Sequence, residues 1–265
     1  MKKLSAIIAL CLSGVAFGQT KEGKIIYERT AQLPVRMMNL SPEIAAQIPK
    51  QRVDQYELLF ANNQSLWQYL PTINSEESAT INAGSVVVRP MNTSNDVSYC
   101  NFEKGIRVDR KEVVDKSFIV TDSITKLNWK LTGETKSILG HNASKATTTR
   151  ISTRSRVTME NGEMKRTEFP DTAMVVAWYS TDFPISSGPE FQGQLPGVIL
   201  ELDIANGETV YKAIEISPKV SASKIKEPKD GKKVTAAEYA KEREALMEEM
   251  RKNMQGGNLR FRVQQ

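Results

Sequence analysis

Short runs of alternating or continuous apolar residues, broken every ten residues or so by turn formers, dominate this chain. Lys24–Arg29, Asp54–Ala61, Ser65–Leu70, Ser85–Val88, Val97–Phe102, Ile106–Val113, Lys116–Thr121 and Lys126–Thr132 each read as a strand. Two hairpins are more specific. Arg156–Glu160 meets Glu163–Thr167 across Asn161-Gly162, and Ile199–Ala205 meets Glu208–Ile216 across Asn206-Gly207. Asn-Gly tolerates the positive φ at both central positions that a type I′ turn requires. The pattern predicts a mainly β protein: a curved antiparallel sheet or half-barrel with one short helix and a C-terminal amphipathic helix.

The helices carry their own signals. Ser41-Pro42-Glu43 places proline at a first helical position, and the segment closes at Pro49. Thr235-Ala236-Ala237-Glu238 matches a capping box, predicting a helix over 235–255. Tyr239, Leu246, Met250 and Met254 form one stripe of it, with Met247 beside them. That stripe reads as packing or as an interaction surface. Thioether ligation of Cu(I) is the sharper alternative for Met247, Met250 and Met254.

The N-terminus changes the picture of compartment. Lys2-Lys3 precedes an apolar run from Leu4 to Phe17, and Ala16-Phe17-Gly18 supplies small residues for cleavage after Gly18. As a helix the run would rise about 21 Å, short of a hydrocarbon core of roughly 30 Å. The expected organisation is a signal peptide over 1–18, an antiparallel β domain over 19–218, a linker over 219–234, the helix over 235–255 and a basic tail over 256–265. The expected location is the periplasm or cell envelope.

Removing the leader leaves 34 basic and 31 acidic residues, a net charge of +3. No cluster of basic residues interleaved with aromatics is present, which argues against nucleic acid as a partner. Cys100 alone remains, so no internal disulfide forms and the thiol reads as a small buried hydrophobe.

Candidate chemistry is sparse. His141 is the only histidine, in a Gly-His-Asn-Ala-Ser context that is not a nucleophile elbow. The motifs for nucleotide, calcium and zinc sites are missing, so neither a metal nor a cofactor is expected. Carboxylate pairs for glycosidic chemistry remain open among 31 acidic residues, none singled out by pattern. Trp67, Tyr69, Trp129, Trp178 and Tyr179 fall on predicted strands, as core or as the lining of a ligand cavity.

One segment is distinctive. Trp178 through Gly188-Pro189 leads to Gln194-Leu195-Pro196-Gly197-Val198-Ile199. It resembles the signature of the GLPGLI family, exported proteins of the Bacteroidetes envelope, with Gln194 and Val198 departing from the family's Gly and Leu. The stretch from Trp129 through Gly140 to Ala146 is similar to that family's middle segment. The resemblance implies a curved antiparallel sheet, no transferable reaction, and an association with outer-membrane transport systems. Three prolines restrict this loop and its glycines permit close backbone approach. Trp178, Gly188, Pro189, Leu195, Pro196 and Gly197 therefore read either as closing the sheet or as a binding edge for a peptide or lipid. The resulting expectation is a non-enzymatic envelope module that captures an apolar ligand or a partner protein, with a glycan hydrolase as the alternative.

Overall fold

The computed structural model describes residues 21–33, 50–71, 81–83, 86–88, 96–160 and 163–255. The short helix expected over 41–49, the leader and the tail lie outside the described residues. In chain order the strands are β1 (Gly23–Gln32), β2 (Gln51–Ala61), β3 (Gln64–Leu70), β4 (Ile81–Ala83), β5 (Val86–Val88), β6 (Val97–Asn101), β7 (Ile106–Val113), β8 (Lys116–Ser123), β9 (Lys130–Ile138), β10 (His141–Glu160), β11 (Glu163–Ser180), β12 (Val198–Ile204), β13 (Thr209–Ser217) and β14 (Lys232–Val234). One helix, α1 (Ala236–Gln255), follows.

Twelve of these strands form one sheet in the order β14-β8-β7-β6-β3-β2-β1-β13-β12-β11-β10-β9, and β4 pairs with β5 alone. Every neighbouring pair in the large sheet is antiparallel except β14 on β8. The protein is mostly β, and this mixed sheet is not closed into a barrel. Its middle is a long-range junction: β1, at the start of the described chain, lies between β2 and β13.

Strand alternation then sorts side chains onto two faces. The inner face carries Tyr27, Leu58, Phe60, Trp67, Val175, Ala177, Leu202 and Tyr211. Residues 181–197 cover it, placing Phe183, Ile185, Phe191 and Leu195 in the core. Helix α1 packs at the far end, where Leu246, Tyr239 and Met247 meet Val113 and Phe118. On the outer face a second cluster forms around Leu59, Leu66, Tyr99, Val108 and Ile119, closed by Ile225 from the connection after β13. Cys100 is buried and free.

The capping box forms as the spacing predicts. The Thr235 N–H donates to Glu238 Oε2 at 2.7 Å, and the Glu238 N–H donates to Thr235 Oγ1 at 3.2 Å. Three local expectations shift. β9 begins at Lys130 and runs to Ile138, because residues up to Trp129 turn onto the inner face. The hairpin at Asn206-Gly207 widens: Ala205, Asn206 and Gly207 all have positive φ, and Asp203 Oδ1 accepts the Gly207 N–H at 2.7 Å. The connection after β13 includes the short strand β14, which no period-2 pattern announces. The Asn161-Gly162 turn lies outside the described residues, but its ladder closes at Glu160 opposite Glu163.

Candidate functional site

The loop over the inner face is built by its glycines and prolines. Gly188 has a φ of +144°, and a Cβ there would sit 2.6 Å from Ile199 Cβ. At Gly197 a Cβ would lie 2.2 Å from the Ser180 carbonyl oxygen. Both positions demand glycine for close approach. Ser187 accepts the Ile199 N–H at 2.9 Å through its carbonyl, and Tyr27 donates its buried hydroxyl to the Ile199 carbonyl at 2.7 Å. Gln194, where the resembled signature has glycine, uses its side chain. Its Oε1 accepts from Trp129 Nε1 at 2.9 Å and from the Leu127 N–H at 3.2 Å. That pins the connection before β9 to the loop. Pro189 and Leu195 are buried, and Pro196 is exposed.

Beside this loop the inner face becomes polar and aromatic at once. Tyr56 stacks on Trp67 with ring centroids 5.2 Å apart and planes 11° from parallel. Tyr69 and Tyr211 meet Tyr56 edge-on at 5.7 and 6.1 Å. Arg29 lies over the Tyr56 ring at 5.2 Å and bonds Asp54. Arg52 takes the other carboxylate oxygen of Asp54 at 2.7 Å. From the loop, Glu190 accepts the Tyr211 hydroxyl at 2.8 Å and faces Arg150 at 3.9 Å. The register explains the gathering: Tyr69, Tyr56 and Tyr27 are directly opposite one another on β3, β2 and β1, and Asp54, Arg29 and Tyr211 repeat this one step along.

This ledge is half-buried rather than sealed. Tyr56, Trp67 and Tyr69 are intermediate in exposure, while Asp54 is buried and Glu190 exposed. Its electrostatics follow from that. Burial alone would lower the Arg29 pKa; Tyr56 and Tyr211, once ionised at high pH, and the Asp54 carboxylate outweigh it and hold the guanidinium above its usual range. Burial pushes the Tyr56 phenol up, with the Arg29 charge opposing. Burial, then the Glu190 carboxylate, pushes Tyr211 up further. The phenols therefore stay protonated as donors at neutral pH. The ledge can offer ring surface, guanidinium donors and one accessible carboxylate.

The other predicted positions lie elsewhere. Trp178 is on the outer face of β11, under Lys136 Nζ at 4.3 Å and Lys145 Nζ at 5.8 Å, which pair with Glu201 and Glu134. The sheet separates it from the buried positions of its own motif. Tyr239, Leu246 and Met247 pack against β7 and β8; Met250 is half-buried, and the Met254 side chain lies outside the described residues. His141 begins β10, where Nδ1 meets Asp182 Oδ2 at 2.8 Å. A pocket of about 450 Å³ opens there, lined by Leu139, His141, Phe183, Ile214, Glu215, Ile216 and Pro218, with no serine or cysteine among its lining residues. Among the described residues no group of three or more His, Cys, Asp or Glu is arranged to hold a metal.

The ledge residues Arg29, Arg52, Asp54, Tyr56, Glu190 and Tyr211 escaped sequence reasoning. Each strand shows alternation, but only the β1–β13 junction and the loop bring these positions together.

An open β sheet with one face covered by a proline- and glycine-shaped loop defines the architectural class. A family model described as "Protein of unknown function (Porph_ging)" matches residues 129–201, from Trp129 through β9 to β11, the loop and the start of β12. Two crystal forms of PNGF-II share the fold. The structure in space group P21 has a TM-score of 0.52 at 16% identity, over 85% of this chain and 34% of that one. The C2 form has a TM-score of 0.50 at 16% identity, over 83% of this chain and 32% of that one. The aligned part thus spans about a third of PNGF-II. No curated protein matches this chain in sequence.

Proposed function

We propose that this chain is an exported, non-enzymatic binding module of the cell envelope, related to the GLPGLI family, that holds an amphipathic ligand on its inner face. The carrying observation is the ledge of half-buried Tyr56, Trp67 and Tyr69 on buried Tyr211, edged by Arg29, Arg150 and Glu190. Aromatic rings with one wet edge suit a ligand with an apolar body and a polar end. Guanidinium groups beside them favour an anionic end.

The family kinship is supported by the matched segment, which contains both stretches of the resemblance, 129–146 and 178–199. Export is supported by the Lys2-Lys3 start, the Leu4–Phe17 run and the small residues before the cut after Gly18. Among the described residues no helix is long and apolar enough to cross a membrane. The domain division stands as part of this proposal, with α1 docked on the sheet as a packing element. An envelope protein, including a component of an outer-membrane transport system, remains the proposed partner class.

The non-enzymatic reading rests on the state of the ledge carboxylates. Asp54 is engaged by two guanidiniums, leaving Glu190 without a second free acid on the ledge for acid and base roles. The test uses 1-anilinonaphthalene-8-sulfonate, an aromatic body with an anionic group. The folded protein is expected to bind it saturably with quenching of tryptophan emission, and Tyr56→Ala to weaken binding about tenfold. Saturable binding that Tyr56→Ala and Arg29→Gln leave unchanged would contradict the ledge as the site.

A further inference from the structure

Strands β10 and β11 together outrun the strands on either side of them. β9 pairs with β10 only as far as Lys130 opposite Thr147, and β12 pairs with β11 only from Val175 onward. Beyond these pairs the backbone ladder of residues 149–160 runs to 163–174, with the Met174 carbonyl still bonded to Ala205, as a ribbon reaching about 40 Å past the flanking strands. A two-stranded ribbon in water is marginally stable, and its open edges are templates for another strand.

The two edges are not alike. Met174 turns its carbonyl away from β10, since it accepts the Ala205 N–H at 2.8 Å. Pro170 has the same parity, so its ring nitrogen points the same way, off the β11 edge. That exposed proline removes a donor from the middle of the β11 edge and interrupts any ladder there. The register then fixes the other side. Thr149 and Thr153, opposite Met174 and Pro170, direct their N–H and C=O groups outward, as does Ile151 between them. β10 contains neither proline nor glycine, so this row is uninterrupted.

Charge decides what the row accepts. β10 carries Lys145, Arg150, Arg154 and Arg156 against Glu160, whereas β11 carries Lys165 and Arg166 against Glu163, Glu168 and Asp171. A second copy of the β10 edge would bring like charges together, and the basic 256–265 tail meets the same objection. The proline excludes head-to-tail pairing on β11. Arg150, Arg154 and Arg156 fall in one alternating set and Ile151, 75% exposed, in the other, beside Met174 at 52%.

We propose that the outer edge of β10 beyond Thr147 accepts an extended segment of another protein, antiparallel or parallel, in which acidic residues alternate with apolar ones. Main-chain bonds to Thr149, Ile151 and Thr153 give the affinity; acids over the arginines and apolar groups over Ile151 give the specificity. Arg150 also faces Glu190 of the ledge, so this edge is tested at Thr153, Arg154 and Arg156, which the ledge does not contain.

The probe is a labelled peptide of about ten residues alternating valine and glutamate, long enough to span the open row. Fluorescence anisotropy against the whole protein is expected to show binding, lost for the valine–lysine peptide and for the valine–glutamate peptide N-methylated at alternate amides. Thr153→Pro deletes one outward donor without touching the β10–β11 ladder, and is expected to weaken binding about tenfold. The joint substitution Arg154→Glu and Arg156→Glu is expected to reverse the preference toward the lysine peptide. Failure of the unmodified protein to bind the acidic peptide, or binding indifferent to N-methylation and to Thr153→Pro, overturns the proposal. So does self-association of the protein that Thr153→Pro abolishes, which would assign the edge to a second copy.

Discussion

Asp54 is buried between Arg29 and Arg52, and its removal takes from both guanidiniums the carboxylate they share on a half-buried ledge. Asp54→Asn is expected to cost about 2–3 kcal/mol in urea unfolding at neutral pH, somewhat less than a fully sealed pair because both arginines keep some contact with water. A change under about 0.5 kcal/mol would show that the arginines find other partners. Residues such as Cys100 and Tyr27 add a pH dependence. Burial pushes the Cys100 thiol up to about 12, and it pushes the buried Tyr27 phenol above its ordinary range. The unfolded chain releases these protons first, so their stabilisation is complete below the ordinary cysteine value of 9.0 and is lost as pH rises past it. Melting temperatures are expected to hold from pH 7 to about 9 and to fall above that, with Cys100→Ala delaying the onset toward the tyrosine range. Onset unchanged by Cys100→Ala would assign the loss to the phenols alone. Cys100 was legible as a buried apolar thiol from its strand context. Asp54 was not, because a lone acid on a strand reads as a solvated face until its neighbours are known.

At the scale of elements, the loop over the inner face and the cap of α1 make opposite demands on substitution. Gly197→Ala forces a methyl group onto the Ser180 carbonyl, and Gly188→Ala adds a clash with Ile199 to a positive φ. Each is expected to destabilise by about 3 kcal/mol, read as a lowered urea midpoint, and to loosen the Glu190–Tyr211 contact with it. Thr235→Ala removes an exposed cap and is expected to cost about 1 kcal/mol. Equal costs at Thr235 and Gly197 would mean that the loop is not tightly seated. The prolines and glycines announced a rigid loop, and the Thr-x-x-Glu spacing announced the helix start. What the chain could not announce was which face the loop covers. That depends on Phe183 and Phe191 meeting Phe60 of β2 and Trp129 of the segment before β9, both distant in the chain. The onset of β9 was misread for a related reason: Trp129 has strand propensity, yet its indole N–H is held by Gln194, off the edge.

For the whole molecule, the decisive fact is an open twelve-stranded sheet in which β1 sits beside β13. Alternation within each strand made a mainly antiparallel β architecture legible. Strand order was not, because the same alternation serves any neighbour, and the ledge exists only in this order. The loop covers most of the inner face and leaves ring surface and charge at one margin, and the central claim of the proposed function is that a ligand is held there. Native mass spectrometry of the protein, purified gently from its native source, addresses this most directly. The ledge predicts an added mass of small-molecule or lipid size on the unmodified protein, lost in Tyr56→Ala protein of the same fold. A bare polypeptide mass, or an added mass that survives Tyr56→Ala, would contradict it.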